Sequence, residues 1–577
     1  MLSFAVTGFS GYHPTDDGLI YAWSWRIFNG EIPYRDFIYI RTPLTLYLHT
    51  AWLWLPDGWQ LQTGRLVYYL EMVGVVAFPL VWAVRTGRLR TDVRSIGLVT
   101  IGLAFALNNF LPMPWYTVDG LLFGSAALMA LLYSRTSGPS RSALWWRAAA
   151  SAAAVLAALC KQNFSVLPLF LGAFALVEFA GSRAPRRWPL LLASVLPGAA
   201  IVAGSIAWLA AVGALAHATS QLTTTVPPGE PLFSAVTVYV RFPVIVAIAV
   251  LVPAGFVLTW SGHTRPPAHG AYALVRRIAV PVVLLGLVLV ELALLALEAT
   301  GWGTYRLGHP VFWGLVGIAG ALTVLRCRRA IGDAETPMLH WGILALAWAA
   351  SISGGYASPI LGLAPMGLLL AQALPPERIR WERPLVGASA AVVLALHLIL
   401  TLQYPYRERP RVEQTANLGD LYPRFGRLLT NQANYDRFAE LKRMTNELAI
   451  ARGRTYAVIP TFALIHFLSG TRNPVSVNTY SSIEYRGFED QLAREFEERR
   501  PIIFIERDPT VPVGAREERQ PTIRIERDAA APGKARAELR VRCSEWLQAG
   551  ESGIVGQAVE TWRLAAEGTA FCAYEHR

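Results

Sequence analysis

The chain has 577 residues, of which 53% are hydrophobic, and its mean hydropathy is +0.36. A composition this apolar over this length excludes a single soluble domain and indicates an integral membrane protein. The formal net charge of +12 is compatible with nucleic-acid binding in general, but the positions of the basic residues along the chain argue against that class of partner.

Acidic and basic residues are concentrated near the start of the chain. The adjacent pair Asp16 and Asp17 is followed by Arg41 within thirty residues. An aspartate pair can accept a proton, hold a cation or cap a helix, and a nearby arginine can hold an anion such as phosphate. The structural alternative is that Thr15 and Asp16 only open the helix predicted at 18–28.

The segments on either side of this acidic loop are apolar but too short to cross a membrane. Residues 1–10 read like the end of a helix, which predicts that the first transmembrane span is truncated. Residues 43–56 include Tyr47, Trp52 and Trp54. Because aromatic residues favour the membrane interface, we expect an interfacial helix there.

Apolar runs long enough to cross about 30 Å of hydrocarbon recur through the middle of the chain. They predict about twelve spans. These lie near 61–84, 95–112, 118–134, 145–160, 163–180, 189–213, 243–260, 278–298, 310–325, 341–353, 356–374 and 385–402.

The basic residues before position 403 alternate between loops. Nineteen of the 26 lie in every second loop or its flanking helix ends. These segments are 85–94, 134–147, 181–188, 261–277, 326–340 and 375–384. Basic loops face the cytoplasm, so the acidic loop and the tail are predicted to lie outside.

Polar residues interrupt the apolar runs at three places on the predicted outer side. They are Asp119, Lys161, which is the only lysine before residue 403, and the break Gly354-Gly355-Tyr356. Structural alternatives remain open: a helix N-cap for the aspartate, a snorkelling lysine and a plain turn. Together with the acidic pair, these residues predict an outward-facing polar site. Acids within or near the spans, which we rank lower, are Glu71, Glu178, Glu291 and Glu298.

The chain changes character at about residue 403, where charged residues become frequent. The patterns predict helices at 431–452, 461–468 and 492–500 and strands at 456–460 and 502–505. Residues 497–508 recur as 517–528, a local duplication. Cys543 and Cys572 both lie in this tail, and their spacing alone does not decide whether they pair.

The order of these motifs resembles the GT-C membrane glycosyltransferases, in particular the branch of protein O-mannosyltransferases and lipid A aminoarabinose transferases. In that branch an acidic pair and a Lys-Pro-Pro-Leu element share the first external loop. The matching segments are Asp16-Asp17-Gly18, Arg41-Thr42-Pro43-Leu44, the second-loop residue Asp119, the turn around Lys161, and Tyr356 with Pro359. This sequence departs from the pattern in having aspartate at the second acid and arginine before Thr-Pro.

The resemblance implies an α-helical polytopic membrane protein of GT-C-like fold with a C-terminal extracytoplasmic α/β domain. Its parts would be the first loop at 1–60, the transmembrane domain at 61–402 and the soluble domain at 403–577. The implied activity moves a sugar, with inversion, from a polyprenyl-phosphate donor to a hydroxyl of a lipid, glycan or protein on the outer face of the plasma membrane.

The resemblance also implies a role for each site residue. Asp16 would be the general base, and Asp17 and Asp119 would orient the base or the acceptor. Arg41, Lys161 and Tyr356 would bind the donor phosphate. A divalent metal occurs in the wider fold class, but without an Asp-x-Asp motif or a histidine cluster we assign neither a metal nor another cofactor.

Two other classes of function fit the same composition. A transporter or flippase for lipid-linked sugars would also have about a dozen spans, but transporters place charge near the bilayer midplane within repeated halves. No repeat of that size is visible here. A non-catalytic cell-envelope assembly protein, binding a partner through its tail, is the third alternative.

Overall fold

The computed structural model describes most of the chain in separate stretches. These are residues 2–14, 16–107, 112–138, 140–181, 187–224, 335–351, 364–373, 382–405, 408–459, 462–479, 482–506, 562–567 and 570–576, with scattered positions at 281–299 and at 362. Several predictions lie outside these stretches: Tyr356, Cys543, the spans at 243–260 and 310–325, and the second repeat copy at 517–528.

Six helices among the described residues are long and apolar enough to cross a membrane. They are α4 (Gln60–Arg85), α6 (Tyr116–Thr136), α7 (Arg141–Cys160), α8 (Val166–Gly181, extended by a 3-10 turn at Gln162–Ser165), α9 (Arg187–Ala211) and α13 (Glu382–Gln403). The chain is therefore a multi-pass membrane protein, as its hydropathy predicts.

Shorter helices complete the helical part. They are α1 (Leu2–Thr7), α2 (Leu19–Phe28), α3 (Leu44–Thr50), α5 (Val93–Leu107), α10 (Leu215–Thr224), α11 (Glu335–Ser351) and α12 (Met366–Ala373). The segment predicted to be interfacial forms α3 and a 3-10 turn at Ala51–Trp54, both too short to span a bilayer. Trp54 exposes 79% of its surface, which suits the headgroup region.

The helices are joined at one end by a continuous series of ion pairs, here called the arginine–glutamate chain. Glu335 accepts from Arg88 and Arg135, and Glu178 accepts from Arg135 and Arg147, with N–O distances of 2.8 to 3.3 Å. These residues come from loops and helix ends that the charge pattern places on one side. In the structure, the side chains of these residues are in contact with one another at that end of the helices.

The tail contains a four-stranded sheet in the order β3–β4–β6–β5. Its strands are β3 (Tyr456–Ile459), β4 (Ile502–Glu506), β5 (Trp562–Glu567) and β6 (Phe571–His576); a small pair, β1 (Ala416–Asn417) and β2 (Leu429–Thr430), lies apart from it. β3 and β4 are parallel, with Tyr456 opposite Ile502, whereas β6 is antiparallel to both neighbours. Every residue of β3 and β4 is buried.

The predicted class, a polytopic helical protein with an α/β tail, is confirmed. The tail helices are α14 (Gln432–Leu448), α15 (Ile465–Ser469), α16 (Ser482–Tyr485) and α17 (Glu489–Arg499). The hairpin of β5 and β6 was not among the predicted elements. Among the described cysteines, Cys160 is a free thiol and Cys572 is disulfide-bonded.

The N-terminal loop and the tail share one hydrophobic core. Tyr12, Tyr21 and Trp25 pack in the same cluster as Phe438 and Phe467. Three hydrogen bonds reinforce it: Gly11 N–H to the Leu429 carbonyl, the Trp25 indole to the Thr471 carbonyl, and Ile38 N–H to the Ser476 carbonyl, at 2.8 to 2.9 Å. The acidic loop is thus held between the helices and the tail.

Candidate functional site

The acidic pair lies in the turn that leads into α2. The helix starts after Gly18, whose left-handed φ of 92° and absence of a side chain suit this position. A Cβ atom at Gly18 would lie 2.7 Å from a Leu464 side-chain carbon of the tail. The N-cap position of α2 is occupied by Gly18, two residues after Asp16.

Asp17 is buried and forms an ion pair with Arg65 of α4. Arg65 also donates to the carbonyl oxygens of Ser10 and Gly11, at 3.1 and 2.6 Å. Burial raises the pKa of the Asp17 carboxyl, while the Arg65 guanidinium acts to lower it. Asp17 therefore fastens the loop to α4.

Asp16 has a different environment from its neighbour. Its side chain is 22% exposed, compared with 4% for Asp17, and its Oδ2 lies 3.8 Å from Nδ1 of His13. The Asp16 carboxylate is also within electrostatic reach of the Tyr116 phenol at the start of α6. Of the two adjacent acids, Asp16 is the one that a ligand can approach.

The segment containing Arg41 is fixed to the end of α7. Thr42 donates to the Ala158 carbonyl at 2.9 Å, and the Gln162 amide donates to the Ile40 carbonyl at 3.2 Å. These two bonds flank Arg41 and bring it beside the turn that contains Lys161. Two residues separated by 120 positions in the sequence thereby become neighbours.

Arg41 is held by two groups. Its Nη1 and Nη2 donate to both carboxylate oxygens of Glu484 in α16, at 2.9 and 2.7 Å, and its guanidinium lies 5.0 Å from the Tyr116 ring centroid. Burial opposes the charge on Arg41, but Glu484, Tyr116 and Tyr39 together more than offset it, so the guanidinium pKa is raised above its ordinary value. This paired geometry is the one that guanidinium also forms with phosphate.

Lys161 lies on the same tyrosine ring. Its ammonium donates to the Thr117 hydroxyl at 3.1 Å and lies 5.2 Å from the Tyr116 centroid. Burial, aided by the positive charge of Arg41, lowers the Lys161 pKa to about 7. Because the side chain is 3% exposed overall and its nitrogen makes a polar contact in the protein, the snorkelling alternative does not describe it.

Asp119 is fully buried in the first turn of α6, the turn that also contains Tyr116. Its Oδ1 lies 3.2 Å from Nε2 of His49, and its carboxyl is within electrostatic reach of Glu71 of α4. The residue is the fourth of its helix, so it is not the N-cap. Asp119 therefore bonds to His49, whereas Arg41 and Lys161 lie on the Tyr116 ring.

The structure therefore brings Arg41 and Lys161 together at Tyr116, places Asp16 near that ring, and buries Asp17 and Asp119 behind it. Three important partners were missed by sequence reasoning: Arg65, Glu484 and His49. An arginine inside an apolar span is a recognisable clue for the first. No neighbouring sequence feature marks Glu484, which lies 443 residues from its partner Arg41.

The described residues include no group of three or more histidine, cysteine, aspartate or glutamate side chains suited to a metal ion. What they do provide is a pair of cationic side chains on one aromatic ring, with a partly exposed carboxylate nearby. Cations of this kind can stabilise a departing anion, and such a carboxylate can accept a proton.

Comparison with known proteins gives one match. No protein-family model and no curated protein matches the chain. Among solved structures, the chain is similar to the crystal structure of ArnT from Cupriavidus metallidurans in the apo state, with 12% identity, a TM-score of 0.38, and coverage of 100% of this chain and 96% of that chain. ArnT is a lipid A aminoarabinose transferase, a member of the branch that the motifs resemble. A likeness at this level assigns neither membership nor activity to this chain.

Proposed function

We propose that the protein is a membrane glycosyltransferase that takes a sugar from a polyprenyl-phosphate donor. The observation that supports this best is the convergence of Arg41 and Lys161 on Tyr116, with Asp16 partly exposed near the same ring. Two cations suit the phosphate of the donor, and the carboxylate suits an acceptor hydroxyl.

In the proposed reaction, the acceptor oxygen attacks the anomeric carbon while the bond from that carbon to the phosphate oxygen breaks. Asp16 takes the proton of the acceptor hydroxyl, and the polyprenyl phosphate leaves with the bond electrons. Attack opposite the leaving group inverts the anomeric centre. Arg41 and Lys161 stabilise the negative charge that accumulates on the phosphate, and Tyr356 is proposed as a further phosphate ligand.

We propose that phosphate binding changes the partner of Arg41. Glu484 accepts one N–H from each terminal nitrogen of the guanidinium, and a carboxylate beside an incoming phosphate would repel it. We therefore expect Glu484 to move away from Arg41 when the donor binds. Asp17 and Asp119 are proposed to orient the base and the acceptor from behind the site, since both are buried.

The proposed orientation places this site and the tail outside the cytoplasm, where a lipid-linked sugar and an acceptor of the cell envelope can meet. The alternating basic loops support that orientation. The acceptor is a hydroxyl of a lipid, a glycan or a protein. The same pair of cationic side chains would suit a flippase of lipid-linked sugars, which binds the same phosphate without breaking a bond.

Release of polyprenyl phosphate distinguishes the enzyme from the flippase. Purified protein in detergent is given a polyprenyl-phosphate sugar and a cell-envelope extract as the acceptor source, and the freed lipid phosphate is measured. Asp16→Asn keeps the side-chain shape but cannot take the proton, so turnover should fall about 10²- to 10⁴-fold while donor binding changes little.

The matched control is Asp57→Asn, because that side chain is 52% exposed and pairs with Arg424 at the surface. Its turnover should equal that of the wild type. Donor movement across proteoliposomes without release of lipid phosphate would identify a flippase instead. If Asp16→Asn stays active while Asp17→Asn or Asp119→Asn is inactive, the base is another member of the acidic cluster.

A further inference from the structure

Behind the candidate site, a buried series of polar side chains links α3 to α6. The Trp52 indole N–H donates to Nδ1 of His49 at 3.1 Å, and Nε2 of His49 lies 3.2 Å from Oδ1 of Asp119. His49 is 1% exposed and Asp119 is fully buried. Water therefore does not compete for the contact between His49 and Asp119.

These two hydrogen bonds determine where the hydrogen of His49 lies. An indole N–H can only donate, so Nδ1 must be the unprotonated, accepting nitrogen. In a neutral imidazole the hydrogen then lies on Nε2, which donates to Asp119. A doubly protonated ring would direct its Nδ1 hydrogen at the indole hydrogen of Trp52. The contacts thus select one neutral tautomer.

The second oxygen of Asp119 accepts no hydrogen bond within the described part of the chain, and neither does Oε2 of Glu71. The Glu71 carboxyl on α4 is close enough to interact electrostatically with that of Asp119. His49 is therefore the described donor that fixes the Asp119 carboxylate, through Oδ1.

We propose that His49, held in its Nε2–H tautomer by Trp52, is a positioning residue of the candidate site that acts through Asp119. Asp119 belongs to the turn of α6 that also carries Tyr116 and Thr117, the residues that contact the two cations. Fixing the carboxylate fixes that turn. Both ring nitrogens of His49 are engaged by Trp52 and Asp119, so its effect on the donor is proposed to pass through this turn. The link to the donor rests on the proposed function, whereas the tautomer does not.

Two polar variants separate the nitrogens of His49. His49→Gln can place an amide N–H near the former Nε2 and keep the bond to Asp119, whereas the shorter His49→Asn places its amide near the former Nδ1. We expect donor affinity, measured by binding of a polyprenyl-phosphate sugar, to fall about tenfold in His49→Asn and less than threefold in His49→Gln. Equal affinities in the two variants would overturn the proposal.

The tautomer is tested without any donor. In protein labelled with ¹⁵N-histidine, the nitrogen resonances of His49 near pH 7 should show one protonated nitrogen, Nε2, with assignment from the spectrum of His49→Gln. Trp52→Phe, which removes the indole donor, should introduce the other tautomer or the doubly protonated ring. A wild-type His49 protonated at Nδ1 would overturn the proposal even if both Asn and Gln variants failed to fold.

These results are distinguishable from a failure of the proposed function. If Asp16→Asn retained full turnover, the proposed catalytic role of Asp16 would fail while the tautomer result stood. If the tautomer were as expected but His49→Asn bound the donor as wild type does, the residue would be structural and the positioning role would be excluded.

Discussion

The arginine–glutamate chain and the candidate site use buried or partly buried charge in different ways. In the arginine–glutamate chain, Glu178 and Glu335 each bind two arginines, and Arg135 binds both glutamates, so the charges alternate along the series. In the candidate site, Arg41 pairs with one carboxylate supplied by the tail, and Lys161 donates to a hydroxyl. Every charge of the alternating series contacts an opposite charge, and the series joins helix ends. In the site, by contrast, the described hydrogen bond of Lys161 goes to a hydroxyl instead of a carboxylate.

The largest expected effect is on stability, through the buried ion pair of Asp17 and Arg65. Arg65→Met removes the counter-charge and leaves a buried carboxylate, so the free energy of unfolding should fall by about 3–5 kcal/mol. Denaturant unfolding in detergent measures the change. The double variant Asp17→Asn with Arg65→Met should recover part of the loss. The comparison between the two regions would be weakened if Arg88→Met, which alters a more exposed pair, destabilised the protein equally.

The next largest expected effect is on the affinity for the donor. Arg41→Ala should weaken binding of a polyprenyl-phosphate sugar by about 1.5–3 kcal/mol, because a charge-assisted contact to a desolvated anion is lost. Glu484→Gln should act in the opposite direction, since it removes the carboxylate that competes for the same guanidinium. Equilibrium binding measures both.

Glu178→Gln is the matched control for Glu484→Gln, because it also removes one carboxylate bound to arginine but in the other region. Donor affinity should be unchanged in this variant. An equal change in the two variants would show that loss of a carboxylate acts through the overall charge of the protein rather than at the site.

The smallest effect is a pH dependence. The Lys161 pKa is lowered to about 7, so the ammonium loses its proton as the pH rises through 7, and only the charged form attracts the donor phosphate. Affinity for the donor, a phosphodiester without its own titration in this range, should fall by up to about tenfold per pH unit above 7, equivalent to about 1.4 kcal/mol.

Lys161→Arg provides the control for this titration, because arginine stays charged at every accessible pH. Its donor affinity should be nearly constant between pH 6 and 9. A wild-type profile that is equally flat would mean that Lys161 keeps its proton throughout this range or does not contact the phosphate.

The sequence predicted the elements of this protein more completely than the pairings within its site. Hydropathy located α4, α6 and α7, and alternation or continuous apolar runs located β3 and β4, because burial periodicity is local information. The hairpin at 562–576 was not predicted. Its strands pair with each other and with β4, and such pairing is decided by contacts that are distant in sequence.

The same distinction applies to the site residues. Asp16, Arg41 and Lys161 stood out as charged residues at the ends of apolar runs, so they could be nominated from the sequence. That Asp17 would be buried against Arg65, and Asp119 against His49, depends on how α4, α3 and α6 pack. Glu484 lies in an ordinary charged tail, and only the folded chain reveals its pairing with Arg41.

The shared core of the N-terminal loop and the tail has a consequence for biosynthesis. Tyr12, Trp25 and Arg26 each bond to a residue made 396 to 449 positions later. The ribosome adds about 5–20 residues per second, so these loop residues are synthesised about 20–90 s before their partners in the tail. During that interval the loop has been delivered to the membrane without the surface that shapes it. The loop therefore lacks its packing partners until the tail is made, and its aromatic residues must be kept from other partners during that interval.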